Sequence, residues 1–190
     1  GCKDIYASLD KYVSPENLDG ENKYHAEGHG LQAALKGCWF REFPPVLQMQ
    51  LKRFEYDPMK DSMTKVNDKY VFPKVLELNK YLDKAAEKHD YTYQLHGVLV
   101  HSGTVHGGHY YAFIRPNTSD EWYKFDDERV SIVGSEQAIE ENYGGDMDDY
   151  TGAGLSNALP FLSKKSNFKT ANAYMLVYIK ESDRNEILCD

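Results

Sequence analysis

The chain has 190 residues, a net charge of −8, 41% hydrophobic residues and 13% aromatics. That is the profile of one ordinary globular domain and excludes disordered, collagenous and membrane-embedded chains. Its 30 acidic against 22 basic residues argue against nucleic acid as a partner, which needs clustered Lys and Arg, and leave a basic peptide as a compatible one.

In chain order, residues 3–13 read as a helix, with Ile5, Leu9 and Tyr12 on one face and Pro15 beyond its end. A polar stretch covers Glu16 to Gly30, and Leu31–Lys36, boxed between Gly30 and Gly37, is undecided. Leu47, Met49 and Leu51 alternate with Gln48, Gln50 and Lys52 after Pro44-Pro45, which predicts a half-buried strand. The alternation breaks at Arg53-Phe54, as at a bulge or a strand covered on both faces, and Asp57-Pro58 turns the chain. A short strand is expected over 69–72 before Pro73, and one or two helical turns over 78–82.

Strands are predicted over 91–101, 109–115 and 122–125, the last two forming a hairpin around the turn-forming 116–121. Ser135 is the expected N-cap of a helix through Asn142, which Gly144-Gly145 ends. Residues 144–170 read as a long surface loop. Ala173 to Ile179 is the longest apolar run, a strand buried on both faces and far too short to span a membrane. Strands outnumber helices without βαβ alternation, so the fold class is α+β with a mainly antiparallel sheet.

Three cysteines, Cys2, Cys38 and Cys189, form no CxxC pair. Neither a disulfide framework nor a cysteine zinc site is expected, and a reducing compartment, cytoplasmic or nuclear, is. The first residue is glycine rather than methionine, which suggests a piece excised from a longer chain.

Chemistry concentrates in His101-Ser-Gly-Thr-Val-His106-Gly-Gly-His109-Tyr110. Paired glycines weaken a strand but let backbone and ligand approach closely, and a histidine at a strand's loop edge is placed to act as a base. If Arg115 and Glu121 pair near the hairpin turn, His109 lies opposite Asp126 or Asp127, and register alone does not choose between them. A carboxylate on an imidazole N–H is the orienter–base half of a catalytic triad; a surface ion pair is the bland alternative. No cysteine lies in a context that lowers a thiol pKa, so the nucleophile is missing. A competing metal reading draws on His101, His106, His109 and Asp126, but H-x4-H-x2-H is not a strong zinc pattern. His25 and His29 are read as solvated.

Six ordered blocks carry a resemblance: Leu47–Asp57, Tyr70–Pro73, Tyr93–Gly103, Gly107–Phe113, Trp122–Asp127 and Ala173–Tyr178. Together they resemble the C-terminal half of the ubiquitin-specific protease catalytic domain. Asp4–Tyr12, His29–Gln32 and Glu141–Gly145 bring the likeness nearest the branch of ubiquitin-specific protease 7 and its plant relatives. The resemblance implies a papain-like cysteine peptidase fold, here its palm and fingers portion with the thumb lobe missing, and residues 1–190 as part of one catalytic domain. It implies a deubiquitinase that cleaves after ubiquitin's C-terminal Gly-Gly, with His109 as general base and Asp126 as its orienter. Asp127 falls at a neighbouring polar position that assists the oxyanion or the histidine. Phe54, Tyr56, His101, His106 and Tyr110 are implied to line the channel for the ubiquitin tail. His25 and Gly28 stand where many members carry zinc cysteines, so no structural zinc and no cofactor are expected.

The family's cysteine box, an Asn/Gln-Gly-x-x-Cys-Tyr-type segment, is absent from this sequence. The nucleophile is therefore expected upstream of Gly1, the missing N-terminal half of the domain is an expected partner beside ubiquitin and ubiquitinated proteins, and the chain is expected to be inactive alone. The alternative is a non-catalytic ubiquitin-binding module or pseudo-deubiquitinase.

Overall fold

The computed structural model describes residues 1–86, 90–145 and 169–188. The loop expected over 144–170 falls largely outside these ranges, as does Cys189. Helix α1 (Ile5–Val13) starts where Asp4 caps it, the Ala7 amide donating to Asp4 Oδ1 at 2.7 Å. Four short strands follow, β1 (Glu16–Leu18), β2 (Tyr24–Ala26), β3 (Gly30–Gln32) and β4 (Ala34–Lys36); β2 pairs with β3 and β1 with β4. Each has three mostly exposed residues, too few for alternation to reveal them, which is why 31–36 was ambiguous.

The remaining strands are β5 (Val46–Gln50), β6 (Phe54–Asp57), β7 (Ser62–Lys65), β8 (Val75–Glu77), β9 (Thr92–Thr104), β10 (Gly107–Ile114), β11 (Trp122–Asp126), β12 (Arg129–Val133) and β13 (Ala171–Lys180). The main sheet runs β12-β11-β10-β9-β13-β5, with β8 also on β9, and every pairing is antiparallel. The α+β class and the antiparallel sheet are as expected. β6 and β7 form a separate hairpin. The broken alternation at Arg53 is the point where the chain leaves the sheet. Arg53 is 3% exposed, and its guanidinium donates to the carbonyls of Ala173, Val66, Asp68 and Tyr143, so a buried charge is satisfied by backbone oxygens alone.

Two expectations are corrected. Residues 69–72 form no strand: Val71 makes one isolated bridge to Asp4, because the Tyr70 amide goes to the Tyr143 carbonyl and the Val71 amide to that of Lys3. The helix expected over 135–142 is α2 (Ser135–Ala138) followed by a 3-10 turn at Glu140–Asn142. Its N-cap is Gly134 rather than Ser135, and it breaks at buried Ile139. Residues 79–81 form a single 3-10 turn, and a short α3 (Arg184–Ile187) closes the described chain.

One face of the sheet presents Val98, Val100, Phe113, Trp122, Leu176 and Tyr178, each 3% exposed or less, in one cluster with Ile5, Phe72, Leu76, Ala138 and Ile139. Burying such side chains stabilises the fold by roughly 1.5–3 kcal/mol each. This core fixes β9, β10 and β11, and their common end carries the site. No helix among the described residues is long and apolar enough to cross a membrane.

Candidate active site

The β9–β10 ladder pairs His101 with Tyr110, Ser102 with His109 and Gly103 with Gly108. Cross-strand partners share a face and neighbours alternate. His101 and Tyr110 therefore lie on one face and His109 on the other. The connection depends on glycine at two places. Gly103 has φ +123°, and a Cβ there would meet the Gly107 carbonyl oxygen at 2.6 Å. A Cβ on Gly108 would lie 2.2 Å from His101 Nε2 and 2.5 Å from the Ser102 carbonyl oxygen. The bare Cα of Gly108 is what lets the His101 ring approach β10 so closely.

Between β10 and β11 the ladder pairs Ala112 with Phe125, Phe113 with Lys124 and Ile114 with Tyr123, one or two residues away from the expected register. His109 is therefore not directly across from Asp126 or Asp127. Continued outward, the ladder would set Tyr111 level with Asp126, making His109 and Asp126 diagonal neighbours on one face. They meet along that diagonal, His109 Nε2 lying 2.5 Å from Asp126 Oδ1. Asp127 occupies the two-residue turn between Asp126 and Arg129 with φ +52°, a conformation that aspartate tolerates better than most side chains. Its carboxylate still comes within 4.8 Å of the other two ligand atoms.

Lys124, which the sequence reading did not single out, donates from Nζ to Asp126 Oδ2 at 2.6 Å. This contact, followed by that from His109, holds the Asp126 carboxyl below the usual carboxylate range. The Asp126 hydrogen bond in turn raises the His109 pKa, with further help from the Asp126 and Asp127 charges. His109 Nδ1 is left without a hydrogen bond among the described residues. The arrangement can accept a proton on Nδ1 and stabilise the resulting imidazolium through Nε2–H.

On the opposite face a hollow of about 470 Å³ is lined by Phe54, His101, His106 and Tyr110, together with Gly107, Gly108, Met63 and Tyr174. Its rings pack edge-on, with centroids 5.3 Å apart for Phe54–His101 and 5.8 Å for Tyr110–Tyr174. Four of the five residues expected to line a channel are thus together. Tyr56 does not line this hollow; its hydroxyl donates to Asp61 within the β6–β7 hairpin. Tyr174 sits at the bulge between Ala173 and Met175, which no local sequence signal betrays. Burial, then the nearby Lys65, lowers the His101 pKa. The Lys65 ammonium donates to the carbonyls of His101, Gly103 and Thr170 and has its pKa lowered to about 8, mainly by burial.

The four-residue metal set considered from sequence does not converge. Among the described residues the donors that do are His109, Asp126 and Asp127, and there the Lys124 ammonium already occupies one Asp126 oxygen.

Residues 8–178 match the model of the ubiquitin carboxyl-terminal hydrolase family. The chain belongs to that family. It is 59% identical to ubiquitin C-terminal hydrolase 12 of Arabidopsis thaliana over 196 residues, which cover 100% of this chain and 17% of that protein. It is 48% identical to ubiquitin carboxyl-terminal hydrolase 7 of Drosophila melanogaster, covering 99% of this chain and 15% of the relative. A solved SAGA Ubp8/Sgf11/Sus1/Sgf73 DUB module bound to ubiquitin aldehyde superposes with a TM-score of 0.66 at 28% identity. That match covers 94% of this chain and 34% of the other. The chain thus spans about a sixth of the length of these curated relatives. Membership of the hydrolase family and the shared fold give the His109–Asp126 pair a chemical context that its geometry alone lacks.

Proposed function

We propose that this chain supplies the general base and its orienting acid to a thiol-dependent hydrolase of the bond after ubiquitin's C-terminal Gly-Gly. The observation that carries the reading is the His109–Asp126 hydrogen bond at 2.5 Å, with Nδ1 left open, at the end of the same strands whose opposite face carries the glycine-lined aromatic hollow. The ubiquitin tail enters that hollow past Phe54, His101, His106 and Tyr110. A diglycine tail has no side chains, so a narrow aromatic passage selects it by excluding bulkier peptides. His109 Nδ1 takes the thiol proton, the thiolate attacks the terminal glycine carbonyl, and the imidazolium returns the proton to the leaving amine. Asp126 holds the ring and offsets its positive charge, and Asp127 adds a second carboxylate nearby.

The nucleophilic cysteine comes from polypeptide outside these 190 residues. The sequence contains no cysteine box, and neither Cys2 nor Cys38 lines the aromatic hollow or the one bordered by Tyr111 and Lys124. The partners are ubiquitin, ubiquitinated proteins and that cysteine-bearing portion of the same domain. Cys2 and Cys38, free among the described residues, fit a cytoplasmic or nuclear setting. The second reading, a ubiquitin-binding module without catalysis, is favoured by the same lack of a nearby thiol among the described residues. Fluorogenic ubiquitin C-terminal substrate separates the two. The 190-residue chain alone is expected to be silent, and the longer protein to turn over and to lose that activity on thiol alkylation. Turnover by the short chain would overturn the missing-nucleophile reading, and a silent longer protein that still binds ubiquitin would favour the binding module.

A further inference from the structure

The Asp126 carboxylate is gripped at both oxygens, and only one grip belongs to His109. Oδ1 accepts from His109 Nε2 at 2.5 Å and Oδ2 accepts from Lys124 Nζ at 2.6 Å. The Lys124 ammonium is itself confined, 4.2 Å from the centroid of the Tyr111 ring, within cation–π range, and its side chain is 27% exposed. Strand periodicity explains the chain of contacts. His109 and Tyr111 are two apart on β10, Lys124 and Asp126 two apart on β11, and the Phe113–Lys124 register turns these positions into two parallel diagonals on one face. Tyr111 meets Lys124 along one diagonal, and His109 meets Asp126 along the other.

We propose that Lys124 is a positioning residue for the catalytic pair: its ammonium, seated on Tyr111, fixes the rotation of the Asp126 carboxylate so that Oδ1 remains on His109 Nε2–H. A carboxylate held at one oxygen turns easily about its terminal torsion, whereas one held at both by charge-assisted or ring N–H donors does not. The same contact sets a limit. Lys124 draws on the negative charge that Asp126 offers His109, so the site gains a fixed geometry and gives up some basicity. Other charged groups near this cluster are Asp127 in the turn, Arg129 across from Asp126 on β12, Glu141 on the 3-10 turn beside Tyr111, and Lys169, which lines the same hollow as Tyr111 and Lys124. The catalytic purpose of the arrangement rests on the function proposed above, but the arrangement is measurable without any turnover.

The test is solvent exchange of the His109 Nε2–H proton by NMR in the 190-residue chain, compared among wild type, Lys124→Met and Lys124→Arg. Lys124→Met keeps the stem against Tyr111 and removes only the charge and donor, and unchanged backbone amide spectra confirm that the variant folds. The expected result is Nε2–H exchange about tenfold faster in Lys124→Met and close to wild type in Lys124→Arg, whose guanidinium can still hold Oδ2. In the longer enzyme, Lys124→Met is expected to lower kcat with KM unchanged. Equal Nε2–H protection in wild type and Lys124→Met overturns the proposal, as does an Arg variant that behaves like Met. An exchange result as expected with no activity in the longer enzyme would sink the function and leave the positioning role standing.

Discussion

Gly107 and Gly108 are adjacent in sequence but differ sharply in what surrounds them, and alanine substitution at each tests the geometry of the site. A Cβ at Gly107 meets nothing within 4 Å, whereas one at Gly108 lands 2.2 Å from His101 Nε2 and 2.5 Å from the Ser102 carbonyl oxygen. Comfortable contacts lie near 3.5–4.0 Å, so the ring and a ladder carbonyl must each give by about 1 Å. Neither is free to do so. The ring is wedged between Phe54 and Tyr110, with centroids at 5.3 and 4.7 Å, and the carbonyl belongs to the β9–β10 pairing. Overpacking of this kind costs about 1–3 kcal/mol, and in a domain of this size each kcal/mol lowers Tm by about 2–4 °C. Gly108→Ala is therefore expected to melt about 2–12 °C below wild type, while Gly107→Ala stays within the range of a neutral surface change, about ±0.5 kcal/mol. Calorimetry reads the stability and the His101 ring resonances read the displacement. Indistinguishable melting of the two variants would refute the close ring–backbone contact on which the hollow depends.

The remaining expectations concern charge, a buried hydroxyl and the choice of aspartate. His109 has a raised pKa, so its contribution to stability is complete below its ordinary value of 6.5 and is lost as pH rises through the folded value. Asp126 has a lowered pKa, so its contribution is present above 3.8 and is lost as pH falls through its folded value. The Tm difference between wild type and Asp126→Asn should thus peak at about pH 5 and shrink on both sides; a difference constant from pH 4 to 9, measured in matched buffers, would contradict the ion pair. Tyr178→Phe leaves the Pro73 carbonyl without its 2.7 Å phenol donor and should cost about 1–2 kcal/mol in urea unfolding. In the longer enzyme Asp126→Asn should reduce kcat far more than Asp127→Asn; the reverse order would transfer the orienting role to Asp127.

The large elements were legible because their periodicity is strong. β5 alternates cleanly, and the apolar run of β13 reflects its position between β9 and β5. The three-residue strands, the β6–β7 hairpin and β12 were not legible. The three-residue strands and β12 are mostly exposed, β6 and β7 are only four residues each, and pairing is decided by distant partners, as when Arg53 gathers four carbonyls and turns the chain out of the sheet. The 15 tyrosines of the sequence serve more than one purpose. Tyr81, Tyr93 and Tyr178 are buried and donate to the carbonyls of Tyr6, Pro44 and Pro73, so those rings serve the core, while Tyr110 and Tyr174 line the hollow. At the site, residue types pointed to a His–Asp pair but the register did not, since one residue of slip changes which side chains are level. Lys124 was invisible as a functional residue. A lysine in a strand is ordinary, and only the diagonal contact to Asp126 gives it a role.

The central claim is that His109, held by Asp126, is the base of a ubiquitin hydrolase, and the most direct test is turnover of a ubiquitin C-terminal fluorogenic substrate by the longer protein carrying His109→Ala. Removing the base should reduce kcat by about 10²–10⁴-fold while ubiquitin binding persists. A rate within about twofold of wild type would contradict the account, because proton transfer by a positioned side chain cannot be lost at so small a cost.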